Sequence, residues 1–199
     1  MKKGVSLFAS IFTTILLIVL MVGLVSANPF TDFFKNIFSG PQFSPAETNL
    51  MAYYNFDANA NDLSGHGNNG IVTGATLASG KFGKAYSFNG VDNYINVPDR
   101  SSLNLPNAWT LGTWVNVNSS QTSYGHIIAK RGVQTNYAFR TNGDGTKWEC
   151  YFNNNGFKGA WNIGTVHKNA WHYMACTYDG INIIKIYEDG NLIGSANVG

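Results

Sequence analysis

Apolar and polar residues alternate along short segments from Leu50 to the end of the chain, with tight-turn dipeptides between the segments. The segments WTLGTWVNV, YAFRTNG and INIIKIYEDG show this period of two, and no stretch keeps a helical period for long. Asn142-Gly143 and Asp189-Gly190 are among the turn dipeptides. About ten short strands at this spacing predict an all-β sandwich or barrel.

Two ends of this region carry specific strand predictions. The segment MAYYNFD alternates and is predicted to be the first strand. The last three segments, WHYMACTYDG, INIIKIYEDG and NLIGSANV, are predicted to form an antiparallel three-stranded meander from Trp171 to Val198.

Residues 1–27 are predicted to be a signal peptide. Lys2 and Lys3 precede an uncharged apolar stretch that ends at Ala27, with small residues before the expected cleavage site. An uncleaved membrane anchor is the alternative, because the stretch is long enough to span a bilayer. Residues 28–49 contain two proline-centred breaks and are predicted to be a linker. Both alternatives place residues 50–199 in the extracellular space or at the cell surface.

The charge balance argues against a nucleic-acid partner. The formal net charge is +2, from 13 basic and 11 acidic residues, and two of the basic residues lie in the predicted signal peptide. The remaining chain is therefore neutral, and it has no basic field that would attract a polyanion.

The strand segments also follow one another in a recognisable order. The chain contains YNFDANANDLSGHGNNG, AYSFNGVDNYINVP, AWTLGTWVNV, IIAKRG, YAFRTNGDG, WHYMACTYDG and IKIYEDGNLIGSA. This ordered series resembles the laminin-G-like, concanavalin A-like jelly-roll family from about Ala52 onward. The resemblance implies a two-sheet antiparallel jelly-roll sandwich. Family members continue with a strand similar to F-x-G-x-I-D-E-V-R-I-Y, so we expect a C-terminally truncated domain over 50–199.

Catalytic patterns are missing from the sequence. The acidic residues do not form the alternating carboxylate strand that concanavalin-like glucanases use, and there is no G-x-S-x-G turn. His66, His126, His167 and His172 do not have metalloprotease spacing and are interpreted as scattered surface residues. We therefore predict no catalytic residues and no enzyme.

Loop aspartates are candidate calcium ligands. Calcium prefers oxygen donors, and Asp57, Asp62 and Asp92 lie in Asn-rich loops. The resemblance favours calcium, since laminin-G-like members often hold it at the rim of the sandwich. The alternative is that these residues only shape turns.

Aromatic and polar residues near the middle of the chain are candidates for carbohydrate binding, because sugars stack on aromatic rings while amides and Arg bond their hydroxyls. The candidates are Trp148, Tyr151 and Trp161 with Arg140 and Asn154. Trp161 is the aromatic residue predicted to be exposed.

Cys150 and Cys176 are the only cysteines. Export favours a disulfide between them. Both lie in predicted strands, and one bridge between neighbouring strands is feasible if their Cβ atoms meet. Two buried free thiols are the alternative.

These observations lead to three functional hypotheses. The first is an exported, non-catalytic module that binds carbohydrate or a cell-surface glycoprotein, with possible calcium dependence. The second is a protein-adhesion or structural spacer module. The third is an accessory domain of a larger secreted enzyme. A membrane is involved only if the N-terminal segment stays uncleaved.

Overall fold

The computed structural model describes residues 50–105, 107–130, 137–153 and 156–199. The predicted signal peptide, the linker and Asn154 lie outside these residues. Within them the chain forms strands and one short 3-10 helix at Ser101–Leu103. No helix in the described part of the chain is long and apolar enough to cross a bilayer. The strands are β1 (Ile71–Thr73), β2 (Thr76–Ser79), β3 (Lys84–Ser87), β4 (Tyr94–Asn96), β5 (Trp109–Asn116), β6 (His126–Lys130), β7 (Tyr137–Thr141), β8 (Trp148–Asn153), β9 (Phe157–Ile163), β10 (Trp171–Tyr178), β11 (Ile183–Glu188) and β12 (Asn191–Asn197).

Two four-stranded antiparallel sheets make up most of the structure. Sheet I has the strand order β12-β11-β10-β5, and sheet II has the order β6-β7-β8-β9. Two smaller ladders pair β1 with β4 and β2 with β3. The predicted all-β, two-sheet antiparallel sandwich is confirmed, and so is the meander β10-β11-β12.

The turn between β11 and β12 follows from its two residues. Asp189 and Gly190 both have positive φ, at 49° and 82°, as a type I′ turn requires. This turn type matches the right-handed twist of the strands that it joins, and Asp and Gly accept its backbone conformation at low cost. The hairpin predicted at Asp189-Gly190 is therefore confirmed.

Alternate residues of the two sheets form one apolar core. Sheet II contributes residues of β7 and β8 whose side chains are almost fully buried, and sheet I contributes the alternating apolar residues of β5, β10 and β11. The period of two explains this arrangement, because successive side chains of a strand point to opposite faces. The buried members are Leu111, Phe139, Trp148, Cys150, Phe152, Met174, Cys176, Ile184 and Ile186, among others.

A disulfide joins Cys150 to Cys176, with 6.5 Å between their Cα atoms. Cys150 lies in β8 of sheet II and Cys176 in β10 of sheet I, so the bond connects the two sheets across the core. The disulfide that the sequence favoured is present, and it joins strands of different sheets instead of hydrogen-bonded neighbours. Both cysteines are fully buried, because they take inward positions in the alternation of their strands.

The prediction of a strand over MAYYNFD is wrong. Residues 51–57 have no regular strand structure, and Phe56 has a φ of 59°, which extended backbone does not allow. Side chains supply much of this segment's hydrogen bonding instead: the carboxylate of Asp62 accepts the backbone N–H of Tyr53. Strands β1, β2 and β9 were not predicted, since Gly or small residues interrupt or border their short apolar runs.

Candidate functional site

Four planar side chains form a column across the face of sheet II that is opposite the core. Tyr124 lies two residues before β6, and Arg140, Tyr151 and Trp161 come from β7, β8 and β9 in turn. Arg140 alternates with the core residue Phe139. The column therefore follows the strand order of the sheet, from β6 to β9. We call these four residues the aromatic–arginine column.

The contacts within the column are stacking contacts. The guanidinium carbon of Arg140 lies 4.1 Å from the ring centroid of Tyr124 and 5.0 Å from that of Tyr151. The rings of Tyr151 and Trp161 are 5.0 Å apart with 20° between their planes. A guanidinium over an aromatic ring and an offset ring pair are both favourable geometries. Each planar group thus holds its neighbour in orientation.

A buried carboxylate fixes the centre of the column. Glu149 accepts from Nε of Arg140 at 2.9 Å, and Nη2 of Arg140 lies 2.9 Å from the same oxygen. The side chain of Glu149 is 8% exposed and that of Arg140 is 17% exposed. This charge-assisted pair orients the guanidinium rigidly, so the faces that Arg140 presents to the two tyrosines are set by the strand pairing of β7 and β8.

Solvent reaches the column mainly at its two ends. Tyr124 is 54% exposed and Trp161 is 42% exposed, whereas Tyr151 between them is buried. Phe157 contacts Tyr151 edge-on at 5.6 Å and is also exposed. A surface with exposed, preoriented rings can stack against the apolar face of a sugar.

Glycine lets the rings of Tyr151 and Trp161 approach each other. Gly159 pairs with Tyr151 in the β8–β9 ladder. A Cβ at Gly159 would lie 2.6 Å from Cβ of Tyr151 and 2.9 Å from a ring atom of Trp161. Any side chain there would push the two rings out of their stacked arrangement.

The structure brings together three of the residues predicted to bind ligand, namely Arg140, Tyr151 and Trp161. The predicted exposure of Trp161 is confirmed. Trp148 does not join them: it is 1% exposed and lies in the core, so we remove it from the candidate ligand residues. Asn154 lies outside the described residues. Sequence reasoning missed Tyr124, which comes from a loop distant along the chain.

Asp62 is occupied by its own loop. Its Oδ1 accepts the N–H groups of Tyr53 and Ser64, and its Oδ2 accepts the Ser64 hydroxyl and the N–H of Asn68. Burial disfavours the charged form, but the donated backbone hydrogen bonds outweigh it and lower the pKa of Asp62. A carboxylate has about four acceptor positions, so Asp62 has no free position for a cation.

Asp57 and Asp92 are exposed and lie in separate turns. Asp57 accepts from Asn55 and from the backbone N–H of Lys84. Asp92 accepts from the amides of Asn89 and Asn93. Within the described ranges, the three predicted aspartates do not form a group of metal-ligating side chains with one another.

His167, His172 and Glu188 do form such a group, with one donor atom from each lying within 4.8 Å of the other two. We call them the histidine–glutamate cluster. The interpretation of His167 and His172 as scattered surface residues is wrong, since their rings lie 5.5 Å apart and both contact Glu188. This is a candidate metal site of the described structure.

Comparisons with solved structures agree with the fold. Domain 4 of AbnA, an extracellular arabinanase of family GH43 from Geobacillus stearothermophilus, solved in complex with arabinotriose, has a TM-score of 0.61 at 20% identity, with 74% of each chain covered. The binding domain of Paraclostridial Mosquitocidal Protein 1 has a TM-score of 0.57 at 16% identity, covering 69% of this chain. The receptor-binding domain of botulinum neurotoxin D has a TM-score of 0.50 at 15% identity and the same coverage.

This chain spans 37% of each of the two toxin structures. No curated protein matches the chain in sequence. At these identities the structural likeness establishes the fold alone.

A family model provides the assignment. The model Laminin_G_3, described as the concanavalin A-like lectin/glucanases superfamily, matches residues 89–199, which is more than half of the chain. The matched region includes both four-stranded sheets, the disulfide and the aromatic–arginine column. The chain therefore belongs to the concanavalin A-like lectin/glucanases superfamily.

Proposed function

We propose that this chain is an exported carbohydrate-binding module whose binding surface is the aromatic–arginine column. The observation that carries the proposal is the stack of Tyr151 and Trp161, with Arg140 on the other side of Tyr151. The stack is held in place before any ligand arrives, so binding costs little side-chain entropy.

The chemistry of the column suits a neutral sugar. The exposed ring of Trp161 offers a flat apolar surface, and the exposed ring of Tyr124 offers a second at the other end. Arg140 can donate to hydroxyl groups with the N–H groups that Glu149 does not use. Because Glu149 neutralises Arg140, the surface has no strong field that would require an acidic ligand.

The comparisons support the ligand class. The structure of arabinanase domain 4 was solved with arabinotriose, and the family description includes lectins. Arabinotriose is therefore the first probe, within a panel of other neutral oligosaccharides.

The test is isothermal titration calorimetry of the purified chain with the oligosaccharide panel. We expect at least one sugar to bind, and Trp161→Ala to weaken its binding at least about tenfold, which corresponds to about 1.4 kcal/mol. Phe88→Ala is the matched control, because Phe88 is also an exposed aromatic residue and is not part of the column.

Two results would contradict the proposal. Unchanged affinity in Trp161→Ala would place sugar binding elsewhere on the molecule. If the folded chain bound no oligosaccharide but bound a protein partner, the protein-adhesion hypothesis would replace the carbohydrate-binding proposal.

Calcium dependence is a separate part of the proposal and rests on Asp57 and Asp92, since Asp62 has no free acceptor position. A ligand of the native state raises its melting temperature by mass action. A melt with calcium and with chelator tests this part, and an unchanged transition would remove calcium from the proposal without affecting the column.

The proposed organisation is a signal peptide over residues 1–27, a linker over 28–49 and the recognition domain over 50–199. The disulfide supports export, because such bonds persist in oxidising compartments. Mass spectrometry of the protein secreted by an expressing cell would test it, with a mature N-terminus at Asn28 as the expected result.

A further inference from the structure

Two ionisable side chains occupy inward positions at one end of sheet I. His172 has the same parity as the core residues Met174 and Cys176 in β10. Glu188 has the same parity as Ile184 and Ile186 in β11. The alternation that buries the apolar residues of these strands therefore also turns His172 and Glu188 toward the inside of the sandwich.

Glu188 is unusual because its carboxylate is buried at the end of β11. Its side chain is 10% exposed, and that of His172 is 22% exposed. A buried carboxylate is costly unless it is paired with a positive group, bonded to donors or bound to a metal ion. In the structure its partners are two imidazoles, His172 from its own sheet and His167 from the connection between β9 and β10.

Nδ1 of each imidazole lies within 3.4 Å of the same carboxylate oxygen. Nδ1 of His167 lies 2.9 Å from Oε1 of Glu188, and Nδ1 of His172 lies 3.4 Å from that atom. Ligand atoms around a tetrahedral zinc ion are about 3.3 Å apart, given metal–ligand bonds of roughly 2.0–2.1 Å. The two nitrogen–oxygen distances are close to this spacing, and all three donor atoms lie within 4.8 Å of one another.

We propose that His167, His172 and Glu188 form a binding site for a divalent transition-metal ion of the zinc type. Two imidazole nitrogens and one carboxylate are a zinc ligand set, and imidazole donors favour transition metals over calcium. Asp189 lies beside the cluster: its Oδ2 is 2.8 Å from Nδ1 of His172, and its Oδ1 accepts the backbone N–H of Tyr173. An ion bound through Nδ1 of His172 would replace the contact between that nitrogen and Asp189.

The ion would connect segments that are distant in sequence. His167 belongs to the β9–β10 connection, His172 to the start of β10, and Glu188 to the end of β11. His167 is 58% exposed, so the remaining coordination positions lie toward solvent. The ion would therefore hold the β9–β10 connection against the β11–β12 hairpin and keep a position open for water or an external ligand.

The test is a zinc titration of the purified, chelator-treated chain, prepared without a histidine tag. We expect one zinc ion per chain in the micromolar range and a melting temperature that rises by roughly 5–10 °C at a hundredfold excess over Kd. His167→Gln and His172→Gln should each weaken binding at least about tenfold.

His66→Gln is the matched control, because His66 lies outside the cluster, and it should bind zinc like the unaltered chain. Cobalt provides a second readout: visible absorption bands of a four- or five-coordinate ion should appear and should be lost in Glu188→Gln. His167→Gln alters an exposed side chain, so its circular dichroism should match the unaltered chain.

Two outcomes would overturn the proposal. One is the absence of saturable binding at millimolar zinc. The other is stoichiometric binding that survives in the double variant of His167 and His172. Neither depends on sugar binding, so the metal site and the aromatic–arginine column can fail separately.

Discussion

The two large sheets and the segment of residues 50–70 supply hydrogen-bond partners for their backbone N–H and C=O groups by different means. In the sheets, each strand pairs with a neighbour in an antiparallel ladder, and the inward side chains form a shared apolar core. In the segment, one carboxylate, that of Asp62, accepts three backbone N–H groups, and the buried amide of Asn68 donates to the carbonyl of Met51.

This difference predicts how stability responds to substitution. The free energy that the sheets gain is distributed over many buried apolar contacts, each of them small. The segment depends on a few polar side chains, and removal of one of them leaves several donors without partners. Substitutions in the two regions should therefore differ in size and in their dependence on pH.

The largest effect is expected from a cavity between the sheets. Phe139→Ala removes a fully buried ring that contacts Trp148 and should lower the free energy of unfolding by about 3–5 kcal/mol. Urea denaturation of the variant measures this. Phe88→Ala, at an exposed ring, should leave the midpoint almost unchanged, and equal losses in both would contradict the core that we describe.

The disulfide should rank next. Replacement of Cys150 and Cys176 by Ala removes a link between residues 26 positions apart, and the chain-entropy model gives about 3 kcal/mol for a loop of this order. Denaturation of the unaltered chain, once with the disulfide intact and once in reductant, checks the value. Identical midpoints would mean that the bond contributes nothing to folding.

Asp62→Ala should lower the free energy of unfolding by about 1–3 kcal/mol at neutral pH, because buried donors lose their acceptor. The pKa of Asp62 is lowered in the folded state, so its contribution is fully present above the unfolded pKa of about 3.9 and is lost as pH falls through the folded value. The difference between the unaltered chain and Asp62→Ala should therefore shrink below about pH 4. A difference that stays constant down to pH 2 would exclude this role.

The smallest effect on stability is expected at the proposed binding surface. Trp161 is 42% exposed, and Trp161→Ala should change the free energy of unfolding by less than about 1 kcal/mol. Thermal denaturation measures this alongside the titration with sugars. A loss as large as that of Phe139→Ala would mean that the stacked rings serve the fold and not a ligand.

Local pattern was sufficient to predict most strands and the sandwich. The alternation of β5, β7, β10 and β11 and the Asp189-Gly190 turn are local features, so the sequence carries them directly. Prediction from local pattern failed at residues 51–57, where the side-chain hydrogen bonds of Asp62 and Asn68 replace a strand ladder. Those hydrogen bonds join residues 9 and 17 positions apart and leave no periodic pattern in the sequence.

The candidate site shows where period-two reasoning was not applied fully. Trp148 and Tyr151 are three residues apart in one strand, so they must face opposite sides of the sheet; grouping them by closeness in sequence was the error. The same rule would have aligned His172 with Met174 and Glu188 with Ile186. By contrast, the approach of Tyr124 to Arg140 and of His167 to Glu188 depends on how loops return to the sheets, which no local pattern specifies.

The disulfide also has a consequence for how the molecule responds to a protease. Tyr151, Trp161, His167 and His172 all lie in the stretch of chain between Cys150 and Cys176. A single cut within that stretch would leave two fragments that remain covalently joined through the interior of the sandwich. A nicked chain would thus run as two fragments on a reducing gel. As long as the disulfide is intact, neither fragment is released, so both surfaces would remain on one molecule after the cut.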